Sequence, residues 1–135
     1  MTKMRPIVKE WYDYLADGQI KGMKCKECGA VEFPPVPVCG KCSCMEMEWC
    51  DVSGEGEITT FSYSPTGIHP YTMDPVLTGY GKMKEGNYFA TGVLDMGAKE
   101  QRTLLEELKK GPIPFKLEVV KLDDKVSFPF MRLER

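Results

Sequence analysis

The first hydrophobic pattern along the chain is a helical stripe over roughly Pro6–Ala16. Its members are Ile7, Trp11, Tyr14 and Leu15. This spacing places all of them on one face of an α-helix. Pro6 suits the first helical turn, and Gly18 suits the position just past the end. The stripe has two interpretations: Trp11 and Tyr14 pack on the rest of this chain, or the helix docks on a partner protein.

From about residue 48 onward, β-branched and aromatic residues form short runs separated by Gly, Pro, Asn and Asp. The predicted strands are Glu57–Tyr63, Val76–Lys84, Tyr88–Asp95, Ile113–Leu122 and Val126–Leu133. One helix, Lys99–Lys110, interrupts them, with leucines at helical spacing and Gly111-Pro112 at its end. Three strands, a helix and two strands is the order of an OB-type barrel. The chain is therefore predicted to be mainly β.

The segment between the helix and these strands contains two Cys-x2-Cys pairs separated by ten residues. The cysteines are Cys25, Cys28, Cys39 and Cys42. Two such pairs can supply four thiolates at roughly 2.3 Å, the tetrahedral shell that zinc prefers. Gly29 suits the turn beneath the first pair, where a residue without Cβ is favoured. Because protein fills all four positions, the predicted zinc is structural.

Three alternatives remain open for the cysteines. Iron uses the same four-thiolate shell, so the spacing alone does not exclude it. Cys44 could replace Cys42 as a ligand, although Cys39 and Cys44 would form an unusual pair. Cys50 lies in a strand-like run and is predicted to be a buried thiol.

These patterns divide the chain into three segments. Residues 1–22 are predicted to hold the N-terminal helix, residues 23–47 a zinc ribbon, and residues 48–135 an OB-fold domain with five strands and one short helix. The sequence has no internal repeat and no low-complexity tract.

Composition narrows the function classes. The chain has 135 residues with 42% hydrophobic and 28% charged residues, which is typical of a soluble globular protein. Its formal net charge is −2, which argues against binding to a phosphate backbone. No apolar run is long enough to span a bilayer, and no signal-peptide core is present after Met1, so we expect a cytoplasmic protein without membrane association. Six cysteines in a reducing compartment favour metal binding over disulfides.

The residues offer little catalytic chemistry. The only histidine is His69, in a Pro/Gly-rich stretch between Pro65 and Pro75. It could pair with Cys44 or Cys50 in nucleophilic chemistry, but the spacing does not require this. No nucleophile elbow, phosphate loop or dinucleotide fingerprint occurs. No catalytic residue is therefore expected.

The cysteine segment and the residues just after it resemble one family. The resemblance covers the whole chain and is most specific from Cys25 to Ile58, including the Phe33-Pro34-Pro35 run and Glu48-Trp49. The chain resembles the rubredoxin-like zinc-ribbon plus OB-fold proteins that accompany thiolase-superfamily enzymes. Similar proteins are small subunits of acetyl-CoA acetyltransferase assemblies, of steroid side-chain thiolase and aldolase complexes, and of benzoylsuccinyl-CoA thiolase.

The resemblance implies a non-catalytic subunit. In such complexes the larger thiolase-fold subunit carries the catalytic Cys and His residues, and the small subunit is implicated in binding or passing the acyl-CoA. It implies a heterotetramer or larger assembly here. Val36 and Ser43 depart from the family pattern, where a basic residue and Gly are common, and Ser64–Asp74 is longer than a plain hairpin. The metal ligands are unaffected.

A coenzyme A thioester is then the expected ligand, and an OB barrel could bind it with a groove and a few lysines. The candidate contacts are Phe61, Tyr63, His69, Tyr71, Lys82, Lys84, Lys109 and Lys110; for each, a solvated lysine or a core aromatic is the alternative. Trp11 and Tyr14 are the candidate partner contacts. The runner-up function is a single-stranded nucleic-acid-binding module, since OB folds and zinc ribbons both occur there.

Overall fold

The computed structural model describes residues 6–65 and 76–134. The first element is helix α1, Pro6–Ala16, as predicted. It ends before Gly18, whose φ of +77° lies in the left-handed region that glycine adopts without steric cost. Trp11 and Leu15 are buried on its inner face, so these two residues of the predicted stripe face the protein's own core, whereas Ile7 and Tyr14 are half-buried.

A three-stranded antiparallel sheet comes after the helix. It consists of β1 (Lys21–Cys25), β2 (Val31–Glu32) and β3 (Met47–Asp51), in the spatial order β2-β1-β3. Because β3 pairs with β1 along its whole length, this ribbon sheet extends past the predicted boundary at residue 47. It also begins before residue 23. The three-segment division itself stays a prediction.

The second sheet has five strands and nearly closes into a barrel. Its members are β4 (Glu55–Ser64), β5 (Val76–Met83), β6 (Tyr88–Gly92), β7 (Ile113–Lys121) and β8 (Ser127–Leu133), in the order β6-β5-β4-β7-β8. Helix α2, Gln101–Lys110, is preceded by a 3-10 turn at Ala98–Glu100. The predicted element order is confirmed, and this strand order is the one expected of an OB-type barrel.

The barrel closes where the end of β6 meets β8. Val93 forms a parallel bridge to Met131, and the Leu94 N–H donates to the Met131 carbonyl at 2.8 Å. The buried Thr91 hydroxyl donates to the Pro129 carbonyl at 2.8 Å. At the bulge between Ile58 and Thr60 the register of β4 shifts, and such a bulge bends a strand.

The barrel interior is filled by alternate residues of its strands and by one leucine of α2. Its fully buried side chains include Ile58, Leu77, Met83, Leu104, Phe115 and Met131. Space at its centre is limited, because a Cβ at Gly79 would lie 2.8 Å from the Met131 Sδ. Only glycine therefore fits that position of β5 without repacking.

An aromatic cluster joins the helix, the ribbon and the barrel. The Trp11 ring packs edge-on against Phe33 of the ribbon and Phe128 of β8, with centroids 6.1 and 5.8 Å away. Phe33 in turn lies 4.9 Å from Phe89 of β6. The Trp11 indole N–H donates to the Lys21 carbonyl at 3.1 Å. Edge-to-face aromatic pairs at these distances stabilise beyond their buried area, so the three parts share one apolar core.

Candidate metal centre

The four predicted cysteine ligands converge on one point. The Sγ atoms of Cys25, Cys28, Cys39 and Cys42 all lie within 4.8 Å of one another. Two of the distances are 3.5 Å, between Cys25 and Cys42, and 3.6 Å, between Cys28 and Cys39. A tetrahedral zinc site with Zn–S bonds of about 2.3 Å has sulfur–sulfur edges of about 3.8 Å. The cluster therefore has the dimensions of a four-thiolate metal shell.

Two similar turns deliver the sulfurs. In the first, the Cys25 N–H donates to Ala30 and the Gly29 N–H donates to the Cys25 carbonyl. In the second, the Cys39 N–H donates to Cys44 and the Ser43 N–H donates to the Cys39 carbonyl. Both turns end on a left-handed residue, Gly29 at φ +76° and Ser43 at φ +64°. Ser43 thus takes the conformation that glycine provides in the first turn, at some steric cost.

Backbone N–H groups favour the ionised thiolate at the first, buried cysteine of each Cys-x2-Cys pair. The N–H of Cys28 points at the Cys25 Sγ, 3.5 Å away, and lowers the pKa of the Cys25 thiol to about 6. The N–H groups of Cys42 and then Lys41 lower the pKa of Cys39. A hydrogen bond to the charged form is the physical cause in both cases.

Cys42, which is exposed, shows why the cluster suits a cation. The N–H of Cys44 lowers the pKa of Cys42, but the Cys25 sulfur and burial outweigh it and raise that pKa to about 12. Four thiols this close cannot all ionise together without a compensating positive charge. A divalent ion supplies that charge, so the donor set fits structural zinc.

Cys44 and Cys50 lie outside the four-sulfur cluster. The Cys44 Sγ accepts the Glu46 N–H at 3.2 Å; Cys42, not Cys44, completes the cluster. Cys50 lies on β3 and is partly buried, and burial is the main cause of its raised pKa. The sequence predicts a buried strand thiol here, and the structure leaves it half-buried.

The helix residues predicted to contact a partner have different environments. Trp11 is only 6% exposed and packs within this chain, so the first of the two interpretations holds for this residue. Tyr14 is half-buried, packs edge-on against Trp49 with centroids 5.2 Å apart and carries the Lys21 ammonium over its ring. Little of the Trp11 surface is therefore left for a partner, while docking through Tyr14 stays a prediction.

The predicted acyl-CoA contacts are spread over several surfaces. Lys82 and Lys84 line a groove of about 470 Å³ beside Glu55 and Glu57. Phe61 and Lys109 line another of about 310 Å³. Lys110 lines a third shallow groove beside α2. Tyr63 packs against the barrel core.

Two of those lysines already form salt bridges. Lys84 pairs with Glu55 at 3.5 Å and Lys109 with Glu106 at 3.1 Å. His69 and Tyr71 lie outside the described residues. The described candidates do not form a single site, and acyl-CoA binding by any of them stays a prediction.

Two exposed aromatics on the barrel are absent from the site residues predicted from the sequence. Tyr80 is 42% exposed and Tyr88 is 76% exposed, on the outer face of β5 and β6. Their strands were predicted, and the alternation of β5 could have indicated that Tyr80 points outward. The sequence could not supply the strand pairing that brings Tyr88 to the same face.

Comparison with known proteins agrees with this geometry. Residues 13–43 match the family model described as ChsH2, rubredoxin-like zinc ribbon domain. A protein of Methanocaldococcus jannaschii described as a DUF35 domain-containing scaffold protein is 35% identical over 99 residues, 70% of this chain and 69% of that protein. The chain belongs to the DUF35 family. The four-cysteine cluster of its zinc ribbon indicates structural zinc.

Solved DUF35 structures share the fold. The structure titled Ltp2-ChsH2(DUF35) aldolase superposes with a TM-score of 0.77 at 16% identity, covering 98% of each chain. A DUF35-family protein of unknown function from Sulfolobus solfataricus gives 0.57 at 12% identity, over 96% of this chain and 86% of that one. Among the described residues, no helix of this DUF35 protein is long and apolar enough to cross a membrane.

Proposed function

We propose that this DUF35 protein is a non-catalytic, zinc-containing subunit of a thiolase-superfamily complex. In that role it stabilises the catalytic partner and helps bind or pass the acyl-CoA. The observation that carries the proposal is its fold correspondence, over 98% of both chains, with a chain of the Ltp2-ChsH2(DUF35) aldolase. The scaffold description of the Methanocaldococcus relative supports the same role.

The side chains of this protein fit an accessory role. The whole sequence contains one histidine, His69, whereas thiolase chemistry in the resembling complexes uses Cys and His residues of the larger subunit. The four clustered cysteines can fill all four positions around a tetrahedral metal ion. No coordination position is then left for substrate. These features support placing the chemistry in a partner.

The connected core explains how such a subunit could depend on its metal. Phe33 belongs to the ribbon, yet it packs on Trp11 of α1 and Phe89 of β6. Ordering of the ribbon by zinc would therefore reinforce the direct Trp11–Phe128 contact that holds α1 on the barrel. A surface that spans these parts would present a partner with one rigid shape only while the metal is bound.

Purification from native cells tests the proposal. A tagged full-length chain should bring down a stoichiometric thiolase-fold protein, identified by mass spectrometry, and should contain one zinc and no iron by elemental analysis. A Cys25→Ser/Cys39→Ser double variant should lose both metal and partner, whereas Cys44→Ser should keep both. A chain recovered alone, or with nucleic acid, would contradict the proposal, and nucleic acid would favour the runner-up function.

A further inference from the structure

The outer face of β5 and β6 carries an aromatic depression that no role described so far explains. Tyr80 and Tyr88 line it, together with Ala90, and it encloses about 170 Å³. The register brings them together, because Tyr80 pairs with Ala90 while Tyr88 pairs with Lys82. Both rings are accessible, yet the Tyr80 hydroxyl lies 3.2 Å from the Ser62 Oγ, which holds that ring in place. Exposed, positioned aromatic faces of this kind stack on planar bases.

A positive charge lies at one side of the depression. The Lys82 ammonium is 5.9 Å from the centroid of the Tyr88 ring and, within the described part of the chain, forms no salt bridge. Glu57 is its cross-strand neighbour, and the next lysine, Lys84, is paired with Glu55. Lys82 is therefore the cation at this face that is free to meet an anionic group.

An apolar groove continues from the other side of the depression. It measures about 320 Å³ and shares Ala90 with the depression, and its further walls include Thr78, Phe128 and Phe130. Along β5, the four residue steps from Lys82 to Thr78 span about 13 Å. The face thus offers a cation, then stacking rings, then an apolar channel, which matches a ligand with a phosphorylated nucleoside at one end and a long, weakly polar arm at the other.

We infer that this face binds the adenine nucleotide end of a coenzyme A thioester, with the purine stacked on Tyr80 and Tyr88. Lys82 then lies beside the phosphates, and the arm runs past Ala90 into the apolar groove. The inference rests on the proposed function, which supplies the ligand. It differs from the sequence-based assignment, since neither tyrosine was among the candidate contacts.

Binding of small probes to the zinc-loaded full-length chain tests the stacking. Coenzyme A and adenosine bisphosphate should both bind, with saturation transfer to the purine protons, and pantetheine alone should bind more weakly. Tyr88→Ala should weaken coenzyme A binding at least about fivefold, the lower end of what base stacking contributes. Tyr88→Phe should retain affinity within about twofold because the ring remains. Leu105→Ala, which removes an exposed apolar side chain from α2, is the matched control and should change nothing.

A charge pair provides a second, signed test. Lys82→Gln should weaken coenzyme A binding, whereas Glu57→Gln should strengthen it by removing a negative charge next to the phosphates. Lys121→Gln, on β7 outside this face, should have little effect. Opposite signs for the two neighbours are not expected from a general loss of folding.

Four outcomes would overturn the inferred binding site, and each points to a different explanation. Unchanged coenzyme A affinity in Tyr88→Ala and Lys82→Gln places the ligand elsewhere and leaves the proposed function standing. If neither the chain nor its purified complex binds coenzyme A, this inference and the acyl-CoA role both fail, while co-purification still reports on the scaffold role. Loss of the partner in Tyr88→Ala without loss of coenzyme A affinity makes this face a protein interface. Tighter binding of single-stranded oligonucleotides than of coenzyme A makes it a nucleic-acid site.

Discussion

Replacing one of two cysteines only two residues apart gives a sharp test of the metal centre. We consider Cys42→Ser and, as its matched control, Cys44→Ser. The Cys42 Sγ lies 3.5 Å from the Cys25 Sγ within the four-sulfur cluster. The Cys44 Sγ instead accepts the Glu46 N–H at 3.2 Å. Both changes replace sulfur with oxygen on the same loop, so only the loss of a ligand distinguishes them.

The closed shell sets the expected magnitude. Structural zinc in small ribbons contributes about 10–16 kcal/mol in total, so one thiolate of four corresponds to about 3 kcal/mol. That is a loss of about a hundredfold in zinc affinity. Cys44→Ser should change the affinity by less than about threefold, since it removes only a weak sulfur hydrogen bond.

The ribbon should lose order when the metal is lost. Its strands are short, with only two residues in β2, and Phe33 is its main apolar contact with the rest of the core. The barrel has its own buried core, so we expect it to remain folded. A strong chelator should therefore disorder the ribbon and dissociate any partner that needs it.

Zinc affinity can be measured by competition with a chromophoric chelator, and ribbon order by tryptophan fluorescence. Trp49 is a suitable reporter because it lies on β3, packs edge-on against Tyr14 and donates to the Glu10 carboxylate at 2.9 Å. Zinc loss in Cys44→Ser but not in Cys42→Ser would show that Cys44 is the ligand. Retention of zinc and unchanged fluorescence in Cys42→Ser would refute the four-thiolate site.

Three further predictions concern stability. Phe33→Ala should lower the free energy of unfolding by about 3–5 kcal/mol in urea denaturation, because Phe33 is only 3% exposed in the shared aromatic cluster. As the control, Val38→Ala at an exposed position should lower it by less than about 0.5 kcal/mol, and equal losses in the two variants would disprove the role of the cluster. Ser43→Gly should stabilise the zinc-bound chain by roughly 0.5 kcal/mol in the same assay, since it removes a left-handed non-glycine residue; destabilisation would mean that the serine side chain matters. The hydrogen bond from Arg132 lowers the pKa of Glu118, so this pair stabilises the fold above the ordinary glutamate pKa of 4.5. The contribution is lost as the pH falls through the lower pKa of the folded state. In thermal melts at acid pH, Arg132→Met should reduce the loss of stability with falling pH, and an unchanged pH profile would show that the exposed pair contributes nothing.

Much of the barrel was predictable because its elements carry local signals. The strand at Val76–Met83 alternates buried and exposed residues, and the leucines of α2 have helical spacing, so short-range patterning identified them. The ribbon strands carried no such signal. β2 has two residues, and β3 was assigned to the barrel segment, although its partner is β1. Such pairing is a long-range contact that local propensity does not encode.

The candidate surface sites show the same division. Lys82, Lys84, Lys109 and Lys110 were reasonable anion contacts by residue type, yet the fold distributes them over separate grooves. The aromatic stripe of α1 was recognised as buried or docking, and packing against Phe33 and Phe128 decided the matter for Trp11. Tyr80 and Tyr88 were not recognised, because an exposed tyrosine on a strand has the same local sequence as a buried one.

The sequence by itself determined which four cysteines come together. Two Cys-x2-Cys turns present their sulfurs through local backbone geometry, and four thiolates have a strong chemical preference for one tetrahedral ion. It also determined the order of the barrel elements, since hydrophobic period and turn residues act over a few positions. Only the tertiary structure decided which aromatics became core and which stayed exposed, how the ribbon joined the barrel, and which of the described lysines formed salt bridges. Those properties depend on contacts between residues that are far apart in the chain and meet across a sheet. The free energy of such contacts exists only once the chain has folded.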